Sequence, residues 1–184
     1  MKGNRAVLTV VVVAVALLLG WWLFGRGGNR GTVDLIDRFA DAQKRPAGDV
    51  FAIEDVTLGS ESKKAIALKP AAGTRLTWKV RVPDNGWLWV SVGMKPEAWE
   101  KEGNGVYFFA GVSDTRAFEK LFEQTLNPFK NPSERRWISV MVDLSAYAGE
   151  DMEVILNTRA SAGGQPPDDR NDLPLWGAPE IVRR

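Results

Sequence analysis

From Asp49 onward the hydrophobic positions recur at every second residue, so the chain reads as a series of short strands. The clearest run is Thr74 to Val82, where Leu76, Trp78, Val80 and Val82 share one parity and Arg75, Thr77, Lys79 and Arg81 share the other. Such alternation makes one face core and the other face wet. "PDNG" follows at once as turn chemistry, with Pro83 presetting φ and Gly86 free to take a positive one. Further strands are predicted at "VFAIEDVTL", "KAIALK", "GWLWVSVGM", "GVYFFAGVS", "RWISVMVDL" and "DMEVILNT". "DTRAFEKLFEQTLNP" fits a loop leading into one more strand. About eight regularly spaced strands predict an all-β fold, a jelly-roll β-sandwich.

The last two of these strands are joined by a small hydrophobic turn. Asp143 or Ser145 can cap one helical turn through a side-chain oxygen, Leu144 and Tyr147 can close the open end of the sandwich, and Gly149 can take the left-handed exit. The spacing predicts a structural corner.

The N-terminus carries a different pattern. Ala6 to Phe24 is free of charge, and at about 1.5 Å of rise per residue it spans roughly 28 Å, close to a bilayer's hydrocarbon thickness. A single transmembrane helix is expected, with Trp21 and Trp22 at the membrane interface and Lys2 and Arg5 marking the short end. "LLLGWWLFGRGG" offers bulky residues where a small-x-small cleavage site is expected, which argues for an uncleaved anchor. A short N-terminal tail stays in the cytoplasm, so the expected placement is the bacterial inner membrane with the remaining chain periplasmic or extracellular. The expected organisation is an anchor over 1–25, a Gly/Arg linker over 26–32 and an extracytoplasmic sandwich over 33–184. Just after the linker, "VDLIDRFADAQKRP" fits a short helix ended by Pro46 or an extended packing segment.

Charge and composition narrow the chemistry. Lys and Arg number 24 against 23 Asp and Glu, for a net charge of +1 with no long block of either sign, which argues against nucleic acid as a partner. The chain has no cysteine and no histidine, which removes thiolate and imidazole ligands and the Ser-His and Cys-His nucleophile pairs. No catalytic set, cofactor or metal site is therefore expected. "PPDDRND" gathers hard oxygen donors of the kind calcium takes, but at no EF-hand spacing and within a Gly-rich loop.

Tryptophan supplies most of the remaining candidates. Trp78 and Trp137 sit in predicted strands and read as packing residues, whereas Trp87 and Trp89 share a parity opposite Leu88 and Val90, so one of the two pairs faces outward, a candidate binding stripe. Trp99 and Trp176 are expected in loops, as ligand contacts or as plugs of a sandwich end.

"KPEAW", "GNGV", the Trp137 strand running into "VDLSAYAG" and the Trp176-Gly177-x-Pro179 ending together resemble galactose-binding-like jelly-roll domains. Such domains occur on membrane-anchored bacterial envelope proteins, including some glycosyltransferases and sulfatases. The resemblance covers roughly Val33 to Val182 and implies the same carbohydrate-binding-module-like fold. It departs from the pattern at Asn104, where such domains often carry Asp, and in "NDLPLWG", where an acidic-aromatic pair is usual. Asn104 joins Trp87, Trp89, Trp99 and Trp176 as a candidate ligand or partner contact.

Two functions are compatible with this pattern. The first is a non-enzymatic accessory or scaffolding subunit, anchored in the lipid bilayer, whose sandwich stabilises a larger complex of integral membrane proteins. The alternative is a membrane-tethered carbohydrate-binding module that takes envelope polysaccharide as its partner.

Overall fold

A computed structural model describes residues 32–161 and 166–184. The predicted spanning helix, Trp21 and Trp22 lie outside the described residues. Among the described residues no helix is long and apolar enough to cross a membrane.

Eleven strands appear among the described residues: β1 (Val33–Asp34), β2 (Gln43–Arg45), β3 (Phe51–Leu58), β4 (Glu61–Leu68), β5 (Gly73–Arg81), β6 (Gly86–Met94), β7 (Val106–Ser113), β8 (Phe118–Leu126), β9 (Ile138–Asp143), β10 (Asp151–Arg159) and β11 (Pro174–Arg183). They form two antiparallel sheets. The first runs β3-β4-β11-β6-β9, with β1 also on β11, and the second runs β2-β5-β10-β7-β8. The all-β sandwich predicted from periodicity is therefore present, with three strands beyond the predicted eight.

Alternation builds the core. Leu76, Trp78 and Val80 of β5, Val154 and Leu156 of β10, and Phe108 and Ala110 of β7 meet Leu88, Val90 and Val92 of β6 and Trp176 and Ile181 of β11 between the sheets. Phe108 and Trp176 pack edge to face at 5.2 Å between ring centroids, and Trp78 Nε1 donates to the Arg38 carbonyl at 3.0 Å, which satisfies a buried polar group.

Two expectations need correction. Trp176 is not in a loop; it belongs to β11, a central strand, and is 1% exposed. Pro174, Gly177 and Pro179 hide that strand from a periodicity search, and a register shift between Gly177 and Glu180 takes up Ala178, whose φ is +42°, and Pro179. The helical alternative for "VDLIDRFADAQKRP" is also replaced. Asp34 Oδ1 accepts from the backbone N–H groups of Ile36 and Asp37 at 2.7 and 3.1 Å, a local turn that competes with helix, so the segment is β1, one 3₁₀ turn over Phe39–Asp41 and β2.

The outer faces of the two sheets differ. On the first sheet, Trp137 lies flat over Gly93 and Gly177, where an added Cβ would come within 3.2 and 2.7 Å of its ring, and its Nε1 donates to the Glu61 carbonyl. Leu58, Ala65, Ala67 and Leu175 complete this satellite core. The second sheet carries polar and aromatic side chains in ordered rows.

Candidate functional site

Cross-strand register sets those rows. Arg45 pairs with Arg75, Arg75 with Asn157, Asn157 with Phe109 and Phe109 with Glu123, which places one side chain from each of five strands in a line across the second sheet. The adjacent row sets Gly73, Arg159, Tyr107 and Thr125 side by side. All point away from the core, because their parity is opposite to Leu76, Leu156 and Phe108.

The aromatic half of this face lies on β7 and β8. Tyr107 and Phe109 stack with centroids 5.2 Å apart, and Phe109 meets Phe118 edge to face at 6.3 Å. Phe118 crosses over Gly111, where an added Cβ would come within 2.9 Å of its ring, and it remains 39% exposed. At the rim the Tyr107 hydroxyl donates to Glu123, which also pairs with Lys120. Hydrogen bonds from Lys120 and Tyr107 hold the Glu123 carboxyl below its usual range, and bonding to Glu123 raises Lys120.

The basic half lies on β2, β5 and β10. A cleft of about 560 Å³, within the range of small-molecule sites, is lined by Arg45, Arg75, Arg159, Asn157 and Phe109 together with residues 71–74. The Arg159 guanidinium sits 5.2 Å from the Phe109 ring centroid. Arg75 Nε donates to Asn157 Oδ1 at 3.0 Å. Arginine can only donate, so this bond fixes which end of the Asn157 amide is oxygen. The nitrogen end, Nδ2, is buried and has no acceptor among the described residues. A buried N–H left unmatched costs on the order of 1–3 kcal/mol, and an exception of this kind in a cleft is what a missing ligand oxygen would relieve.

The residues singled out from sequence are dispersed. Trp87 and Trp89 do face outward, but on the first sheet, with Met141 and Glu180 flanking Trp89 in register. Trp89 is 42% exposed, and the Arg184 guanidinium lies 5.6 Å from the Trp87 ring. Trp99 is half-buried against the Trp137 cluster and donates from Nε1 to the Met94 carbonyl at 2.8 Å. Trp176, in the core, offers no ring face to a ligand. Asn104 donates to the Pro166 carbonyl at 3.4 Å, so it ties the loop before β7 to the loop before β11. At the corner, Asp143 Oδ1 accepts from Ser145 N at 2.8 Å, Leu144 is buried, Tyr147 packs on the core and Gly149 has φ +76°. Burial, then a bond to Glu119, pushes the Tyr147 hydroxyl up to about 12.

Alternation along single strands does not single out Arg75, Tyr107, Phe109, Asn157 or Arg159. Arg75 counted only as part of a wet face. A signal was present in "GVYFFAGV", which puts Tyr107 and Phe109 at a parity opposite to the buried Val106 and Phe108. A second was mid-strand Asn157 between Ile155 and Arg159 on one parity. What no single segment shows is the register that aligns them.

No family model matches the chain. A protein of Archaeoglobus fulgidus, described as uncharacterized, is 36% identical over 104 residues, covering 56% of this chain and 25% of that protein. The chain thus spans about a quarter of the length of the curated relative it matches. Among solved structures, TmCBM61 in complex with β-1,4-galactotriose superposes with a TM-score of 0.53 at 10% identity, covering 79% of this chain and 90% of that one. The K1 cleaved adhesin domain of Lys-gingipain from Porphyromonas gingivalis W83 gives 0.53 at 13% identity, covering 79% and 92%. The CBM22-2 xylan-binding domain of Paenibacillus barcinonensis Xyn10C gives 0.50 at 10% identity, covering 83% and 98%. The described sandwich shares the jelly-roll β-sandwich fold of these solved structures.

Proposed function

We propose that the chain is a non-catalytic carbohydrate-recognition module that takes its glycan on the outer face of the second sheet. The observation that carries this function is the unmatched Nδ2 of buried Asn157 in a cleft that also presents guanidinium groups and an aromatic strip. A sugar supplies what such a cleft lacks: hydroxyl oxygens that accept from amide and guanidinium N–H, and apolar C–H faces that pack on rings. The fold shared with a galactotriose-bound module and a xylan-binding domain supports the same function. An uncleaved anchor over 1–25 would hold the module at the membrane, with envelope polysaccharide as its partner.

The test is retardation of the full-length chain, in mild detergent, through native gels cast with a panel of plant and bacterial polysaccharides. At least one should retard it, and Asn157→Ala should lose roughly tenfold in affinity, as expected for a hydrogen bond to a ligand made in a desolvated site. Wild-type migration unaffected by every polysaccharide contradicts a glycan function.

One observation favours the accessory-subunit role instead. Trp89 and Met141, 42% and 39% exposed, lie side by side on the first sheet and form an apolar patch of the kind that marks protein contacts. Stoichiometric membrane proteins that co-purify with the wild type and are lost with Trp89→Ala would establish it.

A further inference from the structure

Resting on the glycan-binding reading above, we infer that the sugar taken by the second-sheet cleft is acidic, its carboxylate or sulfate held by Arg45, Arg75 and Arg159. Three arginines line the cleft, and no carboxylate does. None of the three is in an ion pair among the described residues, whereas Arg81 on the same face pairs with Asp151. Among the described residues Arg75 donates to the Asn157 amide alone, and Arg159 rests on the Phe109 ring.

The carboxylates on the same face are placed elsewhere. Glu123 is four strands from Arg45 along the shared row and is occupied by Lys120 and Tyr107. Asp151 and Glu153 lie toward the opposite end of β10, where Asp151 pairs with Arg81 at 3.0 Å and Glu153 stands beside Lys79 in register. The chain as a whole is nearly neutral at +1, so three arginines lining one cleft with no carboxylate among them are a local concentration of positive charge. Guanidinium groups present forked N–H donors that match planar carboxylate and sulfate oxygens. The Asn157 Nδ2 donor adds a neutral contact, suited to a ring or hydroxyl oxygen of the same sugar unit.

The experiment compares four probes on the full-length chain by affinity electrophoresis and calorimetry: polygalacturonate for carboxylate, a sulfated galactan for sulfate, and unsubstituted galactan and xylan as neutral controls. One or both acidic polymers should bind at least tenfold more tightly than the neutral ones, the affinity should fall as salt is raised from about 50 to 300 mM, and the preferred acid names the group. Arg75→Gln and Arg159→Ala should each lower acidic binding by roughly tenfold. Arg81→Ala, on the same face but outside the cleft, should leave it unchanged. Neutral polymers bound as tightly as acidic ones would overturn the acidic-sugar inference while leaving a glycan function intact, as would equal losses from Arg81→Ala and Arg159→Ala. Binding to none of the four, if the wider panel also gives none, would overturn both.

Discussion

Asp172 shows how one buried side chain makes stability depend on pH. It is 3% exposed, and its Oδ2 has no partner. Burial, reinforced by the nearby Asp168 and Asp169, pushes its carboxyl up to about 8, from an ordinary value of 3.8. Asp168 moves the other way, down to about 2, because Arg170 bonds to both of its oxygens. Between the ordinary carboxylate value and about 8 the folded chain keeps a proton on Asp172 that the unfolded chain has released. The folded state binds more protons there, so stability falls as pH rises through that window. Urea midpoints should therefore be higher near pH 5 than near pH 8, and Asp172→Asn should shrink the difference. A variant with the wild-type pH slope would show that Asp172 is not its source.

At the scale of elements, legibility followed the alternation of side chains. β5, β6, β7, β9 and β10 are all readable because one face of each packs in the core and the other does not. β11 was not, because its prolines and bulge break the period, although it contacts β4, β6 and β1 and so organises the whole first sheet. Trp137 illustrates a related limit. The residues directly beneath its ring on the first sheet's outer face include two glycines, Gly93 and Gly177, and glycine carries no hydrophobic signal in a sequence. Its ring nonetheless buries Gly93, Gly177 and Leu175 on that face, and it is 4% exposed. Trp137→Ala should destabilise the sandwich by about 3–5 kcal/mol in urea denaturation, the range for losing a large buried aromatic. A cost below about 1 kcal/mol would mean that the satellite core collapses without penalty.

At the scale of the molecule, the sandwich has two outer faces with different chemistry. The first sheet is sealed in part by Trp137 and presents Trp89 and Met141 beside it; the second presents the aromatic strip and the arginine cleft. Sequence parity identified the outward tryptophans of β6 but not the better-equipped site, whose members come from five strands spread between Arg45 and Arg159. Intermolecular NOEs distinguish the two faces as the seat of the glycan. With the full-length chain labelled at Phe and Tyr in one sample and at Trp in another, and titrated with an oligosaccharide of the polymer that retards it, sugar protons should show NOEs to Tyr107 or Phe118 and none to Trp87 or Trp89. NOEs to the Trp87 and Trp89 rings alone would place the glycan on the first sheet and contradict the account.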